Sequence, residues 1–161
     1  MTAGYRSWPP AARAMAVAVD AAVTAAQAGD AAAFGDATAE LSGLDREQLA
    51  VLLGTLTRDL LERSHPDGLD SDDAARVLHS CLRAAAAWYE PLDGDLIIVA
   101  LTGALGITPD PDEEPAPPGP AVVAHGLLLI ADQLTLLGQA LPPVLDGGLR
   151  ELMRAQTVEL P

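Results

Sequence analysis

The sequence predicts an all-α protein, a single-domain bundle of six to seven helices. Of its 161 residues, 31 are Ala and 26 are Leu, whereas Val and Ile together number only 14. Ala and Leu have high helix propensity, and a sheet protein of this length would contain more β-branched residues. Apolar side chains also recur every three or four positions, which is the period of a helix that is buried on one face.

The first half of the sequence predicts an N-terminal arm followed by four helices. Pro9 and Pro10 suit the first turn of a helix, where no amide donor is required. Asp45 with Gln48 three residues later predicts a capping box, and an acid or hydroxyl at 70–71 can cap the next helix. The predicted segments are an arm at 1–10, helices at 11–28 and 31–41, a helix from Asp45 to a break at 64–68, and a helix capped by Asp70 or Ser71 that continues to about Tyr89.

The second half predicts a buried helix, a linker and two further helices. Asp93 caps the run Leu96–Leu105, which is apolar on every side and therefore predicts the central buried helix. Residues 108–120 contain six Pro and four acidic side chains, a composition typical of an extended, mobile linker. Because only 41 residues follow, they must pack on the preceding chain, so that 11–161 form one helical domain. The helices predicted beyond the linker are Val122–Leu141, ended by Pro142 and Pro143, and Leu149–Thr157.

The helix predicted at 122–141 carries two neighbouring apolar rows, and this pattern predicts a homodimer. One row packs on the body of the chain and consists of Val123, Leu127, Ile130, Leu134 and Leu137. The second row, Val122, Leu129 and Leu136, is the candidate interface, because a contiguous exposed apolar row is unusual on a monomer and a two-fold dimer would cover it. In the alternative arrangement, Leu96–Leu105 covers one row and Leu49–Leu60 covers the other.

The charge of the chain limits its partners. There are 23 acidic residues against nine Arg, no Lys and no Asn, and the net charge is −14. The missing Lys and Asn indicate a GC-rich genome, and the sequence leaves open whether the acidity is functional or compositional background. A protein of this charge repels phosphate backbones and anionic lipid, so we expect neither nucleic acid nor membrane as a partner. The longest apolar run is much shorter than a spanning helix, and we expect a cytoplasmic protein.

The motifs of metal sites and enzymes are weak or missing in the sequence. Glu62 and His65 have the spacing of a ligand pair, but one such pair at a helix end does not form a di-metal site. His79 and Cys81 point about 200° apart on a helix and cannot hold one ion together. Cys81 is the single cysteine and falls on an apolar face, so we expect a buried, unreactive thiol. We expect no catalytic residues, no metal and no cofactor.

Polar residues on the helix at 122–141 are open to two interpretations. His125, Asp132 and Gln139 follow one another at seven-residue steps and form a ridge beside the apolar rows. The favoured interpretation is a solvated helix edge. In the alternative interpretation they line a ligand pocket, whose candidate residues are His79, Trp88, Tyr89, His125 and Asp132.

Three functions remain open from the sequence. The first is a non-catalytic protein that acts through protein–protein interaction, as an adaptor, a regulator or a chaperone-like partner. The second is a small-ligand-binding protein or an enzyme with its pocket near Trp88, Tyr89 and His125. The third is an acidic inhibitor that mimics nucleic acid toward a basic partner. The absence of catalytic motifs and the two apolar rows favour the first.

Overall fold

The computed structural model describes residues 5–107 and 119–159, which form seven α-helices and no β-strand. The predicted all-α class is confirmed. The helices are α1 (Pro10–Ala28), α2 (Ala31–Ser42), α3 (Arg46–Ser64), α4 (Ser71–Ala86), α5 (Gly94–Ala104), α6 (Gly119–Leu137) and α7 (Leu141–Glu159).

Acidic side chains cap the helices at the positions that the sequence predicts. The carboxylate of Asp45 accepts a hydrogen bond from the backbone N–H of Gln48 at 3.0 Å. Asp70, and not Ser71, caps α4, where it forms a complete capping box with Asp73. Asp93 caps α5 by accepting a 3.0 Å hydrogen bond from the backbone N–H of Asp95. Each cap provides an acceptor for an N–H group that has no partner within the helix, and so fixes where the helix begins.

The helix at the centre of the bundle is α6, and not the predicted run Leu96–Leu105. Every residue of α6 from Ala124 to Leu134 is buried, and α6 packs against α1, α2, α3, α4 and α5. In α5, by contrast, Ile98 is 41% exposed, and only one face of the helix is buried. An apolar run does not specify how many of its faces will be covered, and in α5 one face stays open.

By length and composition, α6 could cross a membrane, with a mean hydropathy of 1.6 over its most apolar window. In the part of the chain that the structure describes, no other helix meets that criterion. Other helices bury 56% of this window, so that α6 has the position of a core helix.

The last helix is longer than predicted and begins earlier. Gly138, with φ +61°, ends α6, and Pro142 and Pro143 lie in the first turn of α7, where their missing N–H groups are not needed. The helix then continues through Gly147 and Gly148. A Cβ atom on Gly148 would lie 2.8 Å from Cδ2 of Leu56, so glycine allows α7 to approach α3 closely.

Two aromatic residues of the predicted N-terminal arm, Tyr5 and Trp8, pack on the core. Tyr5 is 2% exposed, and its hydroxyl donates a 2.8 Å hydrogen bond to Asp20 of α1. Burial and the neighbouring carboxylate raise the pKa of the Tyr5 hydroxyl. Most of the predicted linker, 108–118, lies outside the described residues, whereas Gly119 and Pro120 belong to α6 and not to the linker.

Candidate functional site

Aromatic side chains from α2, α6 and the segment after α4 form one cluster. The ring centroid of Phe34 lies 5.4 Å from that of Trp88 and 5.4 Å from that of Tyr89, in edge-to-face geometry. Tyr89 in turn lies 5.7 Å from the ring of His125. The structure therefore brings together three of the five predicted pocket residues, Trp88, Tyr89 and His125.

His125 is a buried structural residue. It is 1% exposed; its Nε2 accepts the backbone N–H of Asp93 at 2.9 Å, and its Nδ1 lies 2.7 Å from the carbonyl oxygen of Ala121. Because Nε2 accepts a hydrogen bond, the proton of the neutral ring is on Nδ1, and Nδ1 donates to the carbonyl oxygen of Ala121. Both ring nitrogens are used, so His125 joins α6 to the start of α5. The favoured prediction of a solvated edge is wrong at this residue.

Asp132 is also buried, again in contrast to the predicted solvated edge. It is 9% exposed, and its Oδ2 accepts a 2.7 Å hydrogen bond from the Ser80 hydroxyl of α4. Burial raises the pKa of Asp132, while the Ser80 hydrogen bond and the charge of Arg83 oppose that rise. Asp132 and Trp88 line a cavity of ≈ 280 Å³ between α1, α4 and α6, which we call the Asp132 cavity.

A larger concave surface lies where the ends of α3 and α6 meet α4. It has a volume of ≈ 610 Å³, and we call it the basic groove. Three of the nine Arg and two of the three His of the chain line it, on a protein without Lys. Its lining consists of Arg63, Ser64, His65, Arg76, Val77, His79, Ser80, Arg83, Gln133, Leu136 and Leu137.

The cations of the basic groove are only partly neutralised. Arg63 pairs with Asp59 at 3.2 Å and Arg76 pairs with Asp73 at 3.0 Å, and the two Arg side chains are 43% and 74% exposed. Such exposed ion pairs contribute about 0–1 kcal/mol each and reorganise easily. Within the described chain, no ion pair engages Arg83. The groove can therefore offer guanidinium donors to an incoming anion.

The predicted interface row does not form one exposed surface. Leu129 is 0% exposed and belongs to the core, whereas Leu136 is 63% exposed and lines the basic groove. Val122 is half-buried and lies about 21 Å of helix rise away from Leu136. The prediction of a row is thus wrong at Leu129, because α6 is enclosed on more sides than two apolar rows indicate.

Cys81 is buried, as predicted. Its side chain is 0% exposed, and burial raises the pKa of the thiol to about 12. His79, the fifth predicted pocket residue, is exposed and lines the basic groove, apart from the aromatic cluster. Among residues 5–107 and 119–159, no group of three or more His, Cys, Asp and Glu side chains is arranged to hold a metal ion.

The sequence prediction did not single out the arginines of the groove. Arg76 and Arg83 are seven residues apart, which places them on the same face of α4, and Arg63 precedes them at the end of α3. This local concentration of Arg in a strongly acidic chain is a signal that could have identified them.

Comparisons with models of protein families, with curated proteins and with solved structures find no match to this chain.

Proposed function

We propose that this chain is a non-catalytic binding protein that acts through protein–protein interaction, with the basic groove as its recognition surface for an acidic segment of a partner protein. The observation that carries the proposal is the concentration of Arg and His around one groove of a chain whose net charge is −14. Adaptor and regulator roles both fit such a surface.

Charge complementarity selects the occupant. Guanidinium groups bind carboxylates through paired, directional hydrogen bonds, and they lose less hydration than an ammonium group does. Arg76 and Arg83 on α4 face the same groove as Arg63 on α3. This arrangement suits a peptide that presents several carboxylates along its length.

Apolar residues in the groove add a second requirement. Leu136 is 63% exposed, and Leu137 and Val77 lie beside it in the lining. An exposed leucine next to cations suits a partner in which acidic and apolar side chains are mixed. Apolar contact at the centre with charge at the rim is the usual composition of a protein interface.

The test measures binding of a fluorescein-labelled acidic peptide, EELLEE, by fluorescence anisotropy, with KKLLKK as the opposite-charge control. We expect the double variant Arg76→Gln/Arg83→Gln to weaken EELLEE binding by about tenfold or more, equivalent to about 1.4 kcal/mol. Leu136→Ser should weaken it as well, without loss of stability, because the residue is exposed.

The matched control is Arg150→Gln/Arg154→Gln, which removes the same charge from α7, where both residues pair with nearby acids outside the groove. Equal weakening by both double variants, or equal binding of KKLLKK, would contradict the proposal, because general charge would then explain the binding. No binding of EELLEE would contradict it as well.

Salt should raise both rate constants of EELLEE binding, but for different physical reasons. The net charge of −14 repels an acidic peptide at long range, so screening should raise the association rate constant. The contacts in the groove are attractive at short range, so screening should raise the dissociation rate constant too. If the association rate constant falls as salt is added, the attractive electrostatic potential of the basic groove outweighs the repulsion by the net charge at long range.

A second copy of the chain is the alternative occupant, and it preserves the homodimer expected from the sequence. Light scattering of the wild type and of Leu136→Ser distinguishes the two. A dimer that Leu136→Ser converts into a folded monomer would identify the groove as a self-association surface and would overturn the assignment to a foreign partner.

A cytoplasmic location of the chain is also part of the proposal.

A further inference from the structure

The Asp132 cavity lies apart from the lining of the basic groove and has the opposite electrostatic character. Among the described residues that line it, Asp132 alone carries a charge. Its other walls come from the last turn of α1, from the second half of α4 with Trp88 just beyond it, and from α6. A volume of ≈ 280 Å³ is enough for a small organic molecule.

One oxygen of the Asp132 carboxylate is available to a ligand. Ser80 donates to Oδ2 at 2.7 Å, and no donor of the described chain reaches Oδ1. The residue is only 9% exposed, so its charge is poorly hydrated. Oδ1 is not among the fully enclosed polar atoms that lack a partner in the described chain, so a ligand can reach it from the cavity. A carboxylate that is mostly removed from water is stabilised by a cation that donates hydrogen bonds to it.

The end of α1 contributes further negative potential. Gly29 adopts φ +67° and ends the helix, and no basic residue occupies the last turn. The carbonyl groups at a helix C-terminus carry a partial negative charge, which favours a cation nearby. Ala26, Gln27, Ala28 and Gly29, which include this last turn, line the cavity.

Trp88 provides an aromatic wall. Its Nε1 donates to the carbonyl oxygen of Ala84 at 3.1 Å, so the polar atom of the indole is already used. The ring lies against Gly29, where a Cβ atom would meet Cγ and Cδ1 of Trp88 at 3.6 Å. An aromatic ring attracts cations through its quadrupole and packs well against apolar groups.

We infer that the Asp132 cavity binds a primary organic ammonium ion with a short apolar substituent. The ammonium group donates hydrogen bonds to Oδ1 of Asp132 and to the remaining lone pair of the Thr135 hydroxyl, which lines the same cavity and already accepts a 3.3 Å hydrogen bond from the Gln27 amide. The apolar substituent packs against Trp88 and Leu128. A primary ammonium is favoured over a quaternary one because the acceptors in this cavity need N–H donors, and a quaternary ion has none.

The inference does not rest on the proposed function of the basic groove, although the two sites are neighbours and the charge of Arg83 in the groove acts on Asp132. Ser80 belongs to both regions, since it lines the groove and donates to Asp132. The experiment for each site uses its own ligand, so failure of one proposal leaves the other standing.

The test titrates three matched probes into the whole chain and follows the indole N–H signals by NMR: benzylammonium, neutral benzyl alcohol and benzyltrimethylammonium. We expect benzylammonium to shift the Trp88 signal in a saturable manner and to bind at least about tenfold more tightly than the alcohol. Absence of saturable binding, equal binding of the alcohol, or tighter binding of the quaternary ion would each overturn the inference.

The decisive variant is Asp132→Asn, which keeps the shape of the side chain and an oxygen acceptor for Ser80. We expect it to lower the affinity for benzylammonium by at least about tenfold. Asp72→Asn is the matched control, because it removes the same charge from an exposed position on α4. Unchanged affinity in Asp132→Asn, or equal losses in both variants, would overturn the site.

Thr135→Val keeps the inference testable if Asp132→Asn folds poorly. Thr135 is exposed, and valine has the same shape without the hydroxyl acceptor. We expect a loss of affinity for benzylammonium and no change for benzyl alcohol. Equal effects on the two probes would show that the hydroxyl does not meet the ammonium group.

Discussion

The close approach of α7 to α3 can be tested at two adjacent glycines that differ only in their surroundings. Gly148 is buried, and a Cβ atom there would lie 2.8 Å from Cδ2 of Leu56 and 3.1 Å from Cδ1 of Leu52. Gly147 is exposed, and no atom lies within 4 Å of its Cβ position. Both glycines lie within the same helix, so alanine at either position gains the same helix propensity.

The magnitudes follow from this difference. Alanine in place of a glycine within a helix stabilises by about 1 kcal/mol. At Gly148 the added methyl group also overpacks the contact, which costs about 1–3 kcal/mol because Leu52 and Leu56 are both 0% exposed and have little room to move. We therefore expect Gly147→Ala to stabilise by about 1 kcal/mol and Gly148→Ala to destabilise by about 1 kcal/mol.

The assay is urea denaturation followed by circular dichroism at a helix-sensitive wavelength, supported by thermal melts. A difference of about 2 kcal/mol between the variants corresponds to about 4–8 °C in Tm for a domain of this size. Equal stabilisation by both substitutions would refute the reasoning, because it would mean that α7 does not pack on α3 through Gly148. Equal destabilisation would mean that 147–148 is not helical.

Three further predictions concern residues with buried or capping roles. His125→Ala should destabilise the fold by about 2–4 kcal/mol, since it removes two hydrogen bonds and leaves a void. The control His79→Ala, at an exposed position, should change the free energy of unfolding by less than about 0.5 kcal/mol. Asp70→Ala should cost about 1 kcal/mol through loss of the capping box, and Asp72→Ala clearly less; urea titrations measure all four variants. Cys81, with a pKa raised to about 12, should remain protonated at pH 8 and react with a thiol reagent only after unfolding, and rapid reaction of the native protein would contradict this.

Local signals in the sequence identified most helix beginnings correctly. Asp45, Asp70 and Asp93 each precede an apolar pattern of helical period, and each caps a helix in the structure. Capping depends on two or three neighbouring residues, so it can be recognised without knowledge of the fold. The helix class and most boundaries of the first five helices were therefore accessible from the sequence alone.

The beginning of the last helix was predicted wrongly because proline and glycine each occur in two different structural roles. Pro142 and Pro143 could end one helix or begin the next, and here they begin α7. Gly147 and Gly148 suggested a break, but Gly148 provides space for the side chains of α3. The correct interpretation depends on a contact between residues that are about 90 positions apart, and no local pattern contains that information.

Polar residues on α6 misled the prediction for a related physical reason. A polar side chain on a helix predicts exposure when no partner is known, because burial without a hydrogen bond is costly. Burial of His125 and Asp132 is possible because each forms a hydrogen bond with a residue elsewhere in the chain, the N–H of Asp93 and the hydroxyl of Ser80 respectively. His125 and Asp132 were therefore correctly identified as polar groups beside apolar rows, but the favoured placement of these two residues in solvent was wrong.

The basic groove shows why a local concentration of arginines can be overlooked in an acidic sequence. Net charge averages over the whole chain, whereas a ligand responds to the potential within about one Debye length, roughly 10 Å at moderate salt. The chain turns between α3 and α4, and Arg63, His65, Arg76 and Arg83 then line one concavity together with Leu136 of α6. The proposed binding of an acidic peptide depends on the arginines of α3 and α4 that line this groove, and the net charge of −14 does not describe that local surface. Local charge after folding, and not total charge, is what the peptide measurements test.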